Sequence, residues 1–147
     1  MVNQQAGQAN LEMIRMADIL TALSDDKAFT IYNTIVLSNK QDFRTVIKHM
    51  GITPRQYSSR LLKLTNAGLI RRENRKYVTT PLGIVVYKAI SLVGTGLKYY
   101  WVLKVIESFQ APSTINSNEV ISKLVDTLIE DHDIKKILMD PPIASTS

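Results

Sequence analysis

Apolar residues recur at helical spacing through most of this chain, and short extended runs interrupt that pattern near its middle. Over residues 10–23 the apolar positions fall three or four apart, which predicts an amphipathic helix. A second helix is predicted after Ser24, with Asp25 and Asp26 near its positively polarised N-terminus, and it should stop near residue 38. The N-terminal part of the chain is therefore expected to be helical, preceded by a disordered segment over residues 1–9.

Two short helices separated by a tight turn are predicted next. Asp42 can cap the first, and Gly51 supplies the left-handed backbone residue that ends it. The second, predicted over residues 53–66, begins with a Thr-Pro pair, and Gln56 completes a capping box with the threonine. Gly68 then terminates this helix.

The extended runs occupy residues 69–72 and 76–79, on either side of a polar turn. Glu73, Asn74 and Arg75 form that turn, which has the length of a hairpin connection. The sequence therefore predicts a small β-hairpin over residues 69–79, in a fold that is otherwise mainly α.

The remaining chain is predicted to be helical as well. A helix starts at residues 80–81, and Gly94 and Gly96 should break or bend it. A further helix is predicted over residues 97–109, and a last amphipathic helix over residues 118–139, before a flexible tail at 140–147.

Composition indicates an intracellular protein without a membrane anchor. Hydrophobic residues make up 45% and charged residues 21%, which is ordinary for a globular protein. The chain has no cysteine, which excludes disulfides and thiolate metal sites and suits a reducing compartment. The N-terminus lacks the layout of a secretory signal, and no apolar run reaches the ~20 residues of a membrane span. A cytoplasmic location is expected.

The positive charge is concentrated in one segment. Between Thr53 and Lys76 there are seven basic residues and one acid, Glu73, a net charge of +6, whereas the whole chain carries +5. The other residues therefore sum to about −1. A localised positive field on a helix and a hairpin is typical of a surface that binds nucleic acid.

The helix predicted over residues 53–66 has an apolar stripe that should face the domain. Tyr57, Leu61 and Leu64 form this stripe, at spacings of four and three. The candidate DNA-binding residues lie on the remaining positions and on the hairpin: Arg55, Gln56, Ser58, Ser59, Arg60, Lys63, Arg71, Arg72, Asn74, Arg75 and Lys76.

These candidates differ in their predicted contacts. Arg55, Gln56 and Ser59 are nearest the N-terminus of the helix and should reach base edges, since arginine pairs bidentately with guanine and glutamine with adenine. Arg60 is placed on the same groove-facing helix, and it and Lys63 are suited to the neighbouring phosphates. The hairpin side chains should lie along the phosphates or enter a minor groove.

The segment ITPRQYSSRLLKLTNAGLIRRENRKYVTTPLG, residues 52–83, resembles the recognition helix and wing of winged helix–turn–helix regulators of the ArsR/MarR-like group of archaea and bacteria. Together with LSDDKAFTIYNTI before it, the resemblance covers roughly residues 22–92. It implies a winged helix–turn–helix domain flanked by N- and C-terminal helices. It also implies transcriptional control by a homodimer on palindromic double-stranded DNA, repression being the commoner outcome.

The sequence departs from that group in two respects. Metal-sensing relatives use cysteine, which this chain lacks, so metal sensing is disfavoured. Tyr57 stands where a smaller aliphatic residue is usual. Neither an effector nor an operator can be predicted.

The expected domain organisation is a DNA-binding domain over residues 10–92 and a helical dimerisation or partner region over residues 93–139. The apolar stripe of the last helix favours dimerisation, with the N-terminal helix and the 97–109 helix contributing. Packing within a monomer remains open. The alternative function is a winged-helix adaptor in a transcription or replication assembly, in which the C-terminal helices bind a protein partner. The simpler interpretation of the hairpin alone is a solvated surface whose charge aids solubility.

Two other clusters have simpler interpretations than a ligand site. Tyr99, Tyr100 and Trp101 point around a helix, so packing in a core or dimer seam is favoured over a ligand cage. The acidic stretch at residues 130–133 contains His132, but a solvated acidic face is favoured over a metal site. Neither a catalytic constellation nor a phosphate loop is recognisable, so no enzymatic activity, cofactor or metal is expected.

Overall fold

A computed structural model describes residues 13–37, 43–110 and 117–140. The predicted segment 1–9, the Asp42 cap and most of the 140–147 tail lie outside these residues. The described elements are α1 (Met16–Leu23), α2 (Asp26–Leu37), α3 (Phe43–Met50), α4 (Pro54–Asn66), β1 (Ile70–Glu73), β2 (Lys76–Thr79), α5 (Pro81–Lys98), α6 (Tyr100–Phe109), α7 (Ser117–Leu128) and α8 (His132–Met139). The protein is thus mainly helical with a small antiparallel hairpin, as predicted.

The chain divides into two compact units, Met1–Tyr87 and Lys88–Ser147, called here the N-terminal and C-terminal units. The division falls inside α5, slightly before the boundary predicted after residue 92. The N-terminal unit has twelve basic and six acidic residues, a net charge of +6. The C-terminal unit has six basic and seven acidic residues, a net charge of −1. The net positive charge of the chain is therefore confined to the N-terminal unit.

The core of the N-terminal unit is built around Tyr32 of α2, which is completely buried. Its hydroxyl donates a hydrogen bond to the carbonyl of Gly83, and its ring meets that of Tyr87 edge-on at 6.5 Å. Burial raises the pKa of the Tyr32 phenol to about 12. The other large buried side chains of this unit are Ile31, Leu64, Leu69 and Ile70.

The first helix begins later than predicted, at Met16 rather than near residue 10. Arg15 is extended, and its backbone N–H donates to Asp18 Oδ2 at 3.0 Å. This side chain satisfies an amide that the helix leaves unpaired, and so it favours a start at this point.

Asp25, rather than Ser24, caps the second helix. Its Oδ1 accepts hydrogen bonds from the backbone N–H groups of Lys27 at 2.8 Å and Ala28 at 3.2 Å. The Ser24 hydroxyl instead donates to the carbonyl of Thr21, at the end of α1. The predicted acids at this helix start are present, but the aspartate takes the capping role.

Helix α5 continues through Gly94 and Gly96, which were wrongly expected to break or bend it near these positions. The break comes at Tyr99, and α5 and α6 are bent by 71° there. A glycine inside a helix weakens it by only about 1 kcal/mol, which packing easily offsets. Within the described ranges no single helix could cross a membrane by length and composition, although α5 and α6 would meet these criteria as a bent pair.

The C-terminal unit has its own core, and the predicted last helix is in fact two helices. Ile106, Val125, Ile129 and Ile134 form this core. Between α7 and α8 the backbone N–H groups of Glu130 and Asp131 both donate to the Tyr99 hydroxyl, at 3.3 and 3.2 Å. The chain leaves the helical path there, and α8 starts anew.

The acidic stretch at residues 130–133 lies at this corner and contributes the cap of α8. Asp131 caps α8 by accepting a hydrogen bond from the N–H of Ile134 at 3.0 Å. Among the described residues, no group of three or more histidine, cysteine or acidic side chains could hold a metal ion. One member of the stretch therefore has a structural role at a helix start.

Candidate nucleic-acid interface

Helix α4 begins as its sequence predicts. The Thr53 hydroxyl accepts from the N–H of Gln56 at 3.2 Å, and the Gln56 side-chain oxygen accepts from the N–H of Thr53 at 3.0 Å. Gly51 and Gly68 have φ values of +59° and +74°, and they form the left-handed turns on either side. The capping box and both predicted helix boundaries are therefore confirmed.

One face of α4 packs on the N-terminal unit. Leu61 and Leu64 are buried and Tyr57 is half-buried, as the predicted stripe requires. Burial raises the pKa of the Tyr57 phenol, and the phenol of Tyr77 in β2 adds to the effect. The inner face of α4 therefore lies near β2 of the hairpin.

The opposite face of α4 is open to solvent. It exposes five of the predicted DNA-binding side chains, namely Arg55, Gln56, Ser58, Ser59 and Lys63. Leu62 is exposed among them, with 61% of its surface accessible. Spacings of four and three place Arg55, Ser59 and Leu62 on one row of the helix.

The sequence analysis did not include Leu62 as a candidate. Leu62 falls outside the spacing of the inward stripe, and this spacing alone could have indicated that the leucine lies on the outer face of α4. An exposed leucine on an otherwise polar face can contact the methyl group of thymine.

Arg60 is the exception among the predicted contacts on α4. Its Nη2 lies 2.8 Å from Asp25 Oδ2, its Nη1 donates to the carbonyl of Gln56 at 3.1 Å, and its side chain is only 19% exposed. The guanidinium therefore joins α4 to the start of α2 instead of extending from the outer face. Arg60 is better described as a residue that positions α4.

The Gln56 side chain is exposed, but one of its two polar groups already forms a hydrogen bond within the protein. Its side-chain oxygen already accepts the N–H of Thr53 in the capping box. Bidentate recognition of adenine needs both the oxygen and the amide nitrogen of glutamine. Such a contact would therefore break the cap, whereas a single hydrogen bond from the amide nitrogen would leave it intact.

The hairpin has a two-residue turn rather than the predicted three. Glu73 pairs with Lys76 across the strands, which leaves Asn74 and Arg75 as the turn, with φ values of +47° and +65°. Positive φ at both positions is the signature of a type I′ turn, whose twist suits a hairpin. Arginine is an unusual residue in the second position, where glycine is favoured.

Basic side chains cover both faces of the hairpin. Arg72 lies opposite Tyr77, on the face that also carries the buried Ile70. Arg71 and Lys76 lie on the other face, where Arg71 forms an ion pair with Glu73 at 2.8 Å. The predicted hairpin contacts Arg71, Arg72, Asn74, Arg75 and Lys76 are all exposed.

The base of the hairpin is fixed to the start of α5. The Thr80 hydroxyl donates to the carbonyl of Gly68 at 2.5 Å and accepts the N–H of Gly83 at 2.9 Å. Gly83 is so close to Leu69, the residue before β1, that a Cβ at position 83 would lie 2.1 Å from the carbonyl oxygen of Leu69. The hairpin therefore projects from a tightly packed base.

An open cavity of about 640 Å³ lies between the segment leading into α1 and the C-terminal part of α4. Its lining includes the ion-paired Arg15 and Asp18, together with Lys63 and Asn66 of α4. Lys63 thus borders this cavity as well as the exposed face of the helix.

No protein-family model matches this chain, and comparison with curated proteins and with solved structures gives no match. Function is therefore inferred from the geometry and charge of the chain itself.

Proposed function

We propose that this protein is a sequence-specific, double-stranded DNA-binding transcriptional regulator of the winged helix–turn–helix type, with α4 as recognition helix and the hairpin as wing. One observation carries the proposal. A capped helix and a hairpin expose unpaired basic side chains in a unit of net charge +6, while the other unit is nearly neutral. Such a field attracts a polyanion, and an exposed helix of this size fits a major groove.

Sequence would be read by the outer row of α4. Arg55 at the helix start can donate two hydrogen bonds to guanine, and Leu62 can pack on a thymine methyl group. Ser58 and Ser59 add hydroxyls that bond either to bases or to phosphates. Arg60 holds the helix at its angle through Asp25, and Lys63 neutralises a phosphate at the groove edge.

The wing would supply affinity that does not depend on sequence. Arg72, Arg75 and Lys76 are exposed on two sides of a narrow hairpin and can contact phosphates or enter a minor groove. Arg75 keeps a charged side chain at a turn position where glycine would be less strained. A residue that breaks a local rule in this way is expected at a functional site.

In the cell the protein would act as a cytoplasmic homodimer that occupies palindromic promoter DNA and most simply represses transcription. Two-fold symmetric proteins bind operators whose half-sites repeat their own symmetry. No effector is assigned to the cavity beside α1.

The proposal is tested by selecting duplexes from a random library with the full chain and measuring affinity against salt. Four cations, Lys63, Arg72, Arg75 and Lys76, predict a slope of log K against log salt of about −3 to −4 per copy. The triple variant R72A/R75A/K76A should flatten that slope and weaken binding to all duplexes. The matched control K98A/K123A/K136A removes three exposed positive charges from the C-terminal unit and should change neither the slope nor the affinity. Binding that is insensitive to salt, or a selection that enriches no duplex sequence, would overturn the proposal.

A further inference from the structure

We infer that the C-terminal unit docks reversibly on an anionic lipid surface through the apolar outer faces of α5 and α6. These outer faces are formed by Val93 and Leu97 on α5 and by Trp101, Val105 and Phe109 on α6. Docking on a surface needs no membrane-spanning segment, and the sequence predicts none. The proposed DNA contacts all lie in the N-terminal unit, so the inference goes beyond the proposed function and does not depend on it.

The core of the C-terminal unit uses other sides of these two helices. Val125, Ile129 and Ile134, from the apolar stripe predicted for the last helix, are buried together with Ile106 of α6. The partly buried residues of α5 and α6 that pack on this core are Leu92, Val102 and Leu103. The residues of the outer faces therefore do not contribute to the core and stay available for contact with another surface.

The largest exposed apolar side chains stand on either side of the bend between the helices. Within each helix the residues of its outer face are four positions apart, so they share one side of that helix. Leu97, near the end of α5, has 67% of its surface accessible, and Trp101, in the first turn of α6, has 78%. Tyr99 packs on the core between them. The bend is thus a point from which apolar groups can enter a lipid layer.

The 71° bend favours a position in the membrane surface over a transmembrane one. By length and apolar composition α5 and α6 meet the criteria of a membrane span only as a pair, and the bend lies between them. A pair bent in this way cannot cross the hydrocarbon layer as one straight helix. Helices with a single apolar face lie in the plane of the interface, with that face about 5–10 Å deep.

The aromatic residues after the bend suit the boundary between headgroups and hydrocarbon. Tyr100 and Trp101 are both exposed, and their rings meet edge-on at 5.1 Å. Tryptophan and tyrosine are enriched at membrane–water interfaces, because an apolar ring carries a polar group that remains hydrated. This pair therefore matches the chemistry of a lipid interface.

Charge is divided between the two halves of the C-terminal unit. Residues 88–110, which contain the outer faces, have three lysines and one acid, a net charge of +2, whereas residues 111–147 have three lysines and six acids, a net charge of −3. Lys98 and Lys104 are exposed, three positions on either side of Trp101. Their long side chains can reach lipid phosphates while the indole ring inserts. An anionic surface therefore attracts the half that carries the outer faces and repels the other half.

A second copy of the chain fits the outer faces less well. In a two-fold interface a surface meets itself, so Lys98 and Lys104 of both copies would share one interface, where like charges oppose association. The ion pair of Lys104 with Glu107, at 2.7 Å, is exposed on both sides and neutralises the lysine only weakly. Anionic lipid neutralises these lysines instead. The proposed homodimer would then use another surface.

Vesicle flotation with the full chain gives the first test. Vesicles of phosphatidylcholine and phosphatidylglycerol in equal parts should bind the protein, and pure phosphatidylcholine should bind it about 25-fold more weakly, since Lys98 and Lys104 each contribute about fivefold near an anionic surface. Trp101 is the single tryptophan, so its emission reports on the outer face of α6 alone. On binding it should shift to the blue and be quenched by brominated lipid. Absence of binding, or binding that leaves this emission unchanged, would overturn the inference.

Substitutions are needed to locate the bound surface, because the N-terminal unit, with a net charge of +6, also attracts anionic lipid. The variant L97Q/W101Q should bind at least about 10-fold more weakly. The matched control V120Q/I137Q removes two exposed apolar side chains from α7 and α8 and should bind like wild type. The variant R72A/R75A/K76A should keep the blue shift of Trp101. Circular dichroism checks folding, and a folded L97Q/W101Q variant that binds like wild type would refute the assignment.

A second pair of variants tests the role of charge. K98Q/K104Q should lose about 25-fold in affinity for vesicles that contain phosphatidylglycerol. K123Q/K136Q removes the same charge from exposed positions of α7 and α8, and it should keep that affinity. Equal losses in both variants would contradict the assigned face.

Two outcomes separate this inference from the proposed function. A protein that binds vesicles through Trp101 but binds no duplex DNA would keep the inference and refute the function. A protein that binds duplex DNA with the expected salt dependence but no vesicles would keep the function and refute the inference. Copies that associate with Trp101 shielded and leave vesicles unbound would assign the outer faces to a second copy, against the inference.

Discussion

Arg60 of α4 and Asp25 at the start of α2 form an ion pair with Nη2 and Oδ2 2.8 Å apart. The same carboxylate caps α2 through its other oxygen. Burial opposes the charged form of Asp25, but hydrogen bonds from Arg60 and from the amides of Ala28 and Lys27 outweigh it and lower the pKa of the carboxyl group. One aspartate therefore starts one helix and orients another.

Replacing Asp25 by asparagine should separate these two roles. Asparagine still caps a helix, but it cannot neutralise the largely buried guanidinium of Arg60. We expect the free energy of unfolding, measured with urea at pH 7, to fall by about 1–2 kcal/mol, because Asp25 is 37% exposed and solvent screens the pair.

The pH dependence of that loss has a defined sign. A lowered pKa contributes stability above the ordinary value of 3.8, and this contribution disappears as the pH falls through the pKa of the folded state. The difference between wild type and D25N should therefore vanish in acid. The neighbouring variant D26N is the control, and an equal loss in D26N would contradict the role of the pair.

Replacing Tyr32 by phenylalanine should reduce the loss of stability that the wild-type protein shows at alkaline pH. The pKa of this phenol is about 12 in the folded protein and 10.0 ordinarily, so its contribution is complete below pH 10 and is lost as the pH rises towards 12. At pH 7 we expect Y32F to lose about 1–2 kcal/mol, since the carbonyl of Gly83 loses its donor. Between pH 10 and 12 the stability of Y32F should fall less steeply than that of wild type, and Y100F, changed at an exposed tyrosine, should follow wild type.

The two helical glycines Gly83 and Gly94 should respond in opposite directions to alanine. A Cβ at Gly83 would collide with the carbonyl oxygen of Leu69, so G83A should lower the free energy of unfolding by about 2–3 kcal/mol. A Cβ at Gly94 meets nothing within 4 Å, and G94A should raise it by about 0.5–1 kcal/mol through helix propensity. Thermal unfolding of both variants checks the pair, and similar effects would argue against the close approach at the hairpin base.

Replacing Arg75 should change the stability of the protein and its affinity for DNA in different ways, depending on the new residue. R75G and R75A both remove the charge, but glycine adopts a φ of +65° without strain. We expect R75G to be more stable than wild type by about 1 kcal/mol, and R75A to show no such gain. In DNA titrations both variants should lose about one unit of salt slope, and unchanged binding by both would remove Arg75 from the interface.

The start of α4 was readable from sequence because its signals are local. Thr53, Pro54 and Gln56 stand within four positions and determine one another's conformation, and the glycines at 51 and 68 stop the flanking helices by backbone geometry alone. The inward stripe of Tyr57, Leu61 and Leu64 follows from helical periodicity in the same way.

Two of the errors concern contacts between residues that are distant in sequence. Arg60 looked like a free cation because its partner is 35 positions away, and the last helix looked continuous because the phenol that ends it belongs to Tyr99. Gly94 and Gly96 were wrongly expected to break the helix, because packing compensates for the weak helix propensity of glycine.

The Tyr99 hydroxyl also has a consequence for how the C-terminal unit folds. It accepts amides that lie 31 and 32 residues further along the chain, so the corner between α7 and α8 depends on closing a long loop. Local sequence alone cannot form that corner early. An isolated α7–α8 fragment should therefore lack a defined hairpin, and the unit should fold and unfold in a single cooperative step that is limited by this long-range contact.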